Sequence, residues 1–314
     1  SLPFKKSADL LPGEWTYVQD EDAFYIKLPA GQSLDAANIR YPARSSAVAQ
    51  GISGSWLTVR NITGTHVYND GYNVHGKQRH LVYENIAAIE CGDDGFSAHE
   101  NAECDIDGFT SIGNATGLCD TVSCVTHYKN VFIKDCHGYD IYFISDSPHS
   151  MENVVVESTA ARVLQIAQFR ETPQGRVTNV TLKNMSIRRI SGTPGDARIG
   201  SGCSLVLDHC TIRDVNFIMT PRGAMNVQQC ILTGTPKPDV LLYANTIWQG
   251  AGNLYDLGSL RVGQTSFTPK TFADFQKLTA GEVGSKWESF TTWPDGTGAD
   301  EASLQHLRTM RNPR

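Results

Sequence analysis

Short runs of Val, Ile and Leu that alternate with polar residues return along most of this chain at a regular period near 24. Val59, Val82, Ile106, Val131, Val154, Val180, Leu205 and Val227 mark the units, and the steps between them run 23, 24, 25, 23, 26, 25 and 22. The alternation has a period of two, which is strand chemistry; helical repeats space their apolar residues at three and four. Leucine-rich repeats share the unit length but need a regular Leu ladder with Asn, which is absent here. Each unit holds two or three short strands broken by Gly, Asn or Asp. One such coil cannot bury its apolar face alone, so coils stack with their strands parallel and in register. The period predicts an all-β chain, a parallel β-helix solenoid of about eight coils over residues 46–250.

The flanks read differently. Residues 1–45 contain a hairpin, EWTYV and AFYIKL joined by the polar turn Gln19-Asp20-Glu21-Asp22, placed to cover one end of the solenoid. Residues 251–314 lose the period and form an irregular, partly helical segment that packs on the solenoid or caps its end. Thr268-Pro269 is a helix start, with Phe272, Phe275 and Leu278 expected on one side, and a second short helix is expected near Ser303. Asn61, Asn85, Asn130, Asn153, Asn179 and Asn184 fall near strand ends, where Asn suits turns because it tolerates left-handed backbone. The eight cysteines form no CxxC pair and fit no small disulfide scaffold; they read as buried free thiols.

The chain resembles the right-handed parallel β-helix superfamily of pectin lyases, polygalacturonases and related polysaccharide enzymes over residues 46–250. Coil period and strand chemistry carry that resemblance. It implies a right-handed solenoid and a polysaccharide or oligosaccharide as partner. It also implies an extracellular or periplasmic location, with the leader removed before this numbering begins.

Candidate chemistry centres on NDGYNVHG and GDDGFSAHE. Asp70-Gly71 recurs as Asp94-Gly95 and His75 as His99, each pair offset by one full period. Strands one coil apart lie about 4.8 Å apart, so these residues stack. Tyr72, Phe96, Leu118 and Ile141 form one inward column, and Val74, Ala98 and Phe143 another; Asn73, Ser97, Cys119 and Tyr142 then face outward beside His75 and His99. Asp70 and Asp94 sit at the bend entering the strand, and Asp120 is a third candidate acid. Stacked carboxylates repel, and one keeps its proton at neutral pH, as acid/base catalysis requires. Glycoside hydrolysis uses carboxyl pairs about 5–5.5 Å apart for retention and 6.5–9.5 Å for inversion.

Asn69-Asp70-Gly71 with Gly92-Asp93-Asp94-Gly95 resembles the polygalacturonase acid pattern, which implies catalytic roles for Asp70, Asp93 and Asp94. The chain departs from that family in lacking Gly-His-Gly one coil later, where Thr116-Gly117-Leu118 stands, and in offering only Arg162 and Arg170 for the Arg-x-Lys segment. His75, His99, Glu100, Tyr142, Arg162 and Arg170 are the candidate substrate-binding residues, with Tyr68, Tyr72, Tyr139 and Trp248 as further aromatic candidates for a sugar groove.

The leading expectation is a carbohydrate-active enzyme that hydrolyses glycosidic bonds with Asp94 and Asp70 as acid/base pair. A lyase or epimerase on uronic-acid polymers is the second, with His99 or Tyr142 as base and Arg162, Arg170 or Lys134 binding the carboxylate. A non-catalytic glycan-binding or structural β-helix is the third. The motifs call for no cofactor, although the acids leave room for a divalent cation. A net charge of −6 disfavours nucleic acid, and no apolar run reaches the ~18 residues of a membrane span. Oligomeric state is not legible.

Overall fold

The structure, a computed structural model, describes residues 6–37, 39, 42–51, 54–169, 178–292 and 294–310. The chain divides into two compact units, Ser1–Ala43 and Arg44–Arg314.

In the first unit, Trp15–Val18 and Ala23–Ile26 pair antiparallel, with Trp15 opposite Ile26 and Val18 opposite Ala23. Gln19–Glu21 turns the chain, and Asp22 completes the turn in left-handed backbone at φ 47°. Phe24 packs against the rings of Trp15 and Tyr17. This is the hairpin expected from the two aromatic runs.

The second unit is a parallel β-solenoid of about nine turns, one more than the apolar runs suggested. Each turn gives one short strand to the first sheet and either one long strand or two short ones to the second. Among the described residues the first sheet holds eleven strands and the second fourteen. In the first sheet Tyr72, Phe96, Leu118, Ile141 and Leu164 stack in register and are buried, as expected. In the second, Tyr83, Ile106, Tyr128, Met151, Leu182 and Leu207 do the same. The register corrects one detail of the repeat. Val82 pairs with Asp105, beside the inward column rather than in it, and Val131 belongs with Phe109 and Val154 in a neighbouring column. The period averaged correctly because adjacent columns differ by only a few positions.

The long strands bend in the middle, and asparagine makes the bend. Asn61, Asn85, Asn130, Asn153 and Asn184 all have φ between 47° and 61°. Their side chains also form a ladder along the solenoid: Asn85 Nδ2 donates to Asn61 Oδ1 (2.7 Å), Asn153 Nδ2 to Asn130 Oδ1 (3.2 Å) and Asn184 Nδ2 to Asn153 Oδ1 (2.9 Å). Asn179 differs from the others: it is the second residue of the strand Thr178–Arg189 and does not adopt left-handed backbone. All eight cysteines are free thiols, seven of them buried.

The C-terminal segment does two things. The helix Phe272–Thr279 packs Phe272 and Phe275 against Trp248, Tyr255, Phe267 and Trp287 over the last turns. Trp248 is therefore a core residue and not part of a sugar groove. Leu278 is 59% exposed; six residues beyond Phe272 it has rotated about 240° around the helix axis. Residues 299–310 then run along the side of the solenoid, where Ala299, Leu304 and Leu307 cover the outward Phe132 and Val155. Arg308 ties this strap to the solenoid through Glu157 (3.3 Å) and also pairs with Glu301 within the strap (3.5 Å). Three consecutive apolar residues in Val131-Phe132-Ile133 and Val154-Val155-Val156 are the sequence trace of a strand covered on both faces. Among the described residues no helix is long and apolar enough to cross a membrane.

Candidate functional site

The two Asp-Gly steps stack as their spacing implies. Phe96 pairs with Tyr72, so Asp94 lies one turn above Asp70. The glycines are there for space and not for a left-handed turn. A Cβ on Gly95 would lie 2.5 Å from Gly117 O and 2.5 Å from Ser111 Oγ; one on Gly71 would lie 2.6 Å from the Ala88 Cβ. Ser97 Oγ lies 2.9 Å from Asp94 Oδ2, so the two side chains share one side of the strand while Phe96 is buried in the core.

Asp70, Asp93 and Asp94 converge: one oxygen from each lies within 4.8 Å of the others. Asp70 is 4% and Asp94 9% exposed, while Asp93 is open to solvent. The Asp94 amide donates to Asp70 Oδ1 (3.1 Å), and Asn69 Nδ2 donates to Asp70 Oδ2 (3.1 Å). Burial pushes Asp70 up to about 6, against the pull of the Asp94 amide. Burial, then the charges of Asp70 and Asp93, push Asp94 up to about 8 despite hydrogen bonds from Ser97 and Thr116. Asp94 is thus the carboxyl that keeps its proton at neutral pH. The three acids also form an oxygen set that could hold a divalent cation, supplying three of the six to eight ligands that calcium takes.

The histidines lie next to this cluster. His75 and His99 stack 4.1 Å apart and 7° from parallel. His75 Nδ1 lies 3.2 Å from both Glu100 oxygens, and the Gly76 amide donates to Glu100 Oε2 (2.8 Å). Burial raises the Glu100 carboxyl, but the Gly76 amide and both imidazoles outweigh it and hold the group below its ordinary value. His99 has both ring nitrogens engaged: Nε2 is 2.9 Å from Ser97 Oγ and Nδ1 is 2.9 Å from Thr121 Oγ1. Burial first, then His75, depress it to about 4, so it is neutral at pH 7. Ser97 Oγ lies 2.9 Å from Asp94 Oδ2 and 3.0 Å from Cys119 O as well.

Further along the same sheet, Ser97, Cys119, Tyr142 and Gln165 continue one outward row, and Thr116, Tyr139 and Arg162 continue the row that starts at Asp94. Tyr139 and Tyr142 stack on each other at 4.6 Å and 19°. Arg162 Nη1 donates to Gln165 Oε1 (3.2 Å). Three turns separate Asp94 from Arg162, about 14 Å at the spacing of parallel strands.

Some candidates lie elsewhere. Asp120 does not join the other acids: it pairs with Ala98 in an inward row and is fully buried. There it accepts hydrogen bonds from Thr126 Oγ1 (2.6 Å), Tyr128 OH (3.0 Å) and the Ala98 amide (3.2 Å). The neighbour of Asp94 on the next turn is Thr116, so that turn is shorter than the one before it and Asp120 lands past the acid row. Lys134 is in the other sheet, 3.4 Å from Glu157. Tyr72 is in the core, Tyr68 is exposed on an early turn, and Arg170 is outside the described residues. Sequence reasoning singled out neither Ser97 nor Thr121 as a site residue, although aligning DGYNVH with DGFSAH puts Ser97 between acid and imidazole. No protein-family model matches this chain, and neither a curated protein nor a solved structure matches it.

Proposed function

We infer that this protein is a carbohydrate-active enzyme that hydrolyses glycosidic bonds in a polysaccharide. The observation that carries this reading is the meeting of three carboxyl groups on one side of the sheet, with Asp94 holding its proton at neutral pH and Asp93 open to solvent. A parallel β-helix is compatible with polysaccharide-active and polysaccharide-binding proteins alike, so the site has to decide. The short separation of the acids favours the retaining geometry. Asp94 gives its proton to the leaving oxygen while the Asp93 carboxylate bonds to the anomeric carbon. Asp94, now ionised, then takes a proton from the water that releases the sugar. Asp70 supports this by fixing the Asp94 backbone and by raising the cost of an early charge on Asp94. Tyr139 and Tyr142 offer ring surface to a sugar chain lying along the solenoid.

The lyase reading loses support at its base. Both nitrogens of His99 are engaged, and burial raises the Tyr142 hydroxyl above its ordinary value. The glycan-binding reading draws on the stacked tyrosines. The deciding assay incubates the protein with neutral and uronic polysaccharides and follows reducing ends together with ultraviolet absorbance. New reducing ends without absorbance are expected, lost at least a hundredfold in Asp94→Asn. Absorbing products, or full activity in that variant, would sink the reading.

A further inference from the structure

Neither the core nor the backbone accounts for Trp56. Its side chain is 78% exposed. It has φ 65°, and His80 has φ 53°, a left-handed backbone that glycine or asparagine adopts at lower cost. Asparagine does take the next bend of the same two turns, at Asn61 and Asn85. Ser55 pairs with Arg79, so Trp56 and His80 lie one turn apart, and their rings stack at 4.1 Å and 23°. The stack covers one face of the indole and leaves the other to solvent.

Polar hollows adjoin the stack. Cys104 pairs with Leu81, which puts Glu103 one turn beyond His80. One hollow of about 270 Å³ takes in His80, Glu103 and Asp105, and another of about 300 Å³ takes in Arg79, Asn101, Glu103 and Ser123. They meet at Glu103, whose carboxylate pairs with Arg79. Hydrogen-bond donors and acceptors are thus mixed beside a flat apolar ring. The acid face is close along the chain, since only four residues separate His99 from Glu103.

We propose that Trp56, stacked on His80, forms a second polysaccharide-binding site, around the corner of the solenoid from the acids, that holds a sugar ring on the open indole face and its hydroxyls in the hollows around Glu103. A pyranose has an apolar C–H face and a rim of hydroxyls that both donate and accept, which matches an aromatic ring flanked by mixed polar groups. A cationic ligand would find Glu103 already paired with Arg79. An apolar partner would strip water from Glu103 and Asp105 without replacing it. The choice of a sugar rests on the carbohydrate reading of the acid site; the exposed stack and its hollows do not. Such a site anchors the enzyme to a long chain while another stretch of that chain reaches the acids.

The test is native electrophoresis of the full chain through gels cast with xylan, pullulan or polygalacturonate, using Asp94→Asn as the parent so that no polysaccharide is consumed. At least one polysaccharide should retard the parent. Adding Trp56→Gly should weaken that retention about tenfold, and Trp56→Phe should keep most of it. The melting temperature of Trp56→Gly should be unchanged or higher, because glycine relaxes the left-handed bend. No retention of the parent, equal retention of parent and Trp56→Gly, or retention lost together with thermal stability would each overturn the proposal. So would a dimer in sedimentation that Trp56→Gly dissolves in the absence of retention, which would assign the ring to a second copy of the chain. Retention that depends on Trp56, in a protein whose wild type releases no reducing ends, would sink the hydrolase reading and keep this one. Reducing ends without retention would do the reverse.

Discussion

His75 and His99 lie face to face, with ring centroids 4.1 Å apart and planes 7° from parallel. Two imidazolium ions at that distance repel, and His99 is a half-buried ring. Its folded value of about 4 lies below the ordinary 6.5. Between those values the unfolded chain takes up a proton that the folded chain refuses, so stability is present above 6.5 and is lost as pH falls towards 4. His99→Gln should flatten this part of the profile by about 1 kcal/mol, allowing for partial solvent screening. Denaturant midpoints from pH 7 to pH 4 measure it; parallel wild-type and variant curves would remove the electrostatic account of the pair.

Asp94 predicts the opposite slope. Its folded value of about 8 is above the ordinary 3.8, so its neutral form stabilises the fold at low pH, and that contribution is lost as pH rises from about 4 through 8. Asp94→Asn should therefore melt at a higher temperature than the wild type at pH 9, with the difference shrinking towards pH 4. A site that destabilises its own fold at working pH is common where acid/base chemistry needs a buried group. Melting curves across pH check it, and a variant less stable than the wild type at pH 9 would contradict it.

Asp120 should behave as a core residue. Its carboxyl gathers Thr126, Tyr128 and the Ala98 amide, and Thr126 Oγ1 also reaches His149 Nδ1 at 2.7 Å. Asp120→Ala leaves these donors buried without their acceptor, at a cost of about 2–4 kcal/mol. Chemical denaturation should show that loss while the Asp94-dependent reaction persists under native conditions. Loss of activity at full stability would return Asp120 to the chemistry.

The asparagine ladder gives a test of backbone shape. Asn153 has φ 56° and hydrogen bonds to the Asn residues on both sides. Asn153→Ala should cost about 1–3 kcal/mol, the left-handed penalty plus the lost ladder bonds. Asn153→Gly should cost less because glycine removes the backbone term. If the two variants unfold at the same denaturant concentration, backbone strain is not what Asn relieves there.

The C-terminal strap should be separable from the site. Leu304 is fully buried over Phe132 and Val155 on the side of the solenoid. Leu304→Ala should destabilise by about 2–5 kcal/mol and increase proteolysis within residues 294–310. The Asp94 titration should stay where it is, since the strap lies against the other sheet.

The sequence by itself determined the solenoid. A period near 24 and alternation at two leave few other ways to bury the apolar residues; the asparagines read as turns at strand ends prove to bend the strands in their middle. It also determined that Asp70 stacks under Asp94 and His75 under His99, because equal spacing in two adjacent coils fixes the register. Only the tertiary structure decided which side the acids take. Asp94 lies beside Ser97 rather than beside the buried Phe96, so the alternation breaks at Gly95. It also decided the fate of Asp120. The turn from Asp94 to Thr116 is shorter than the turn from Asp70 to Asp94, and that small difference moves a carboxylate from the acid row into the core. Loop length and corner geometry depend on what packs beneath them, here the Ser111 hydroxyl and the Gly117 carbonyl against Gly95, and no local pattern encodes that contact.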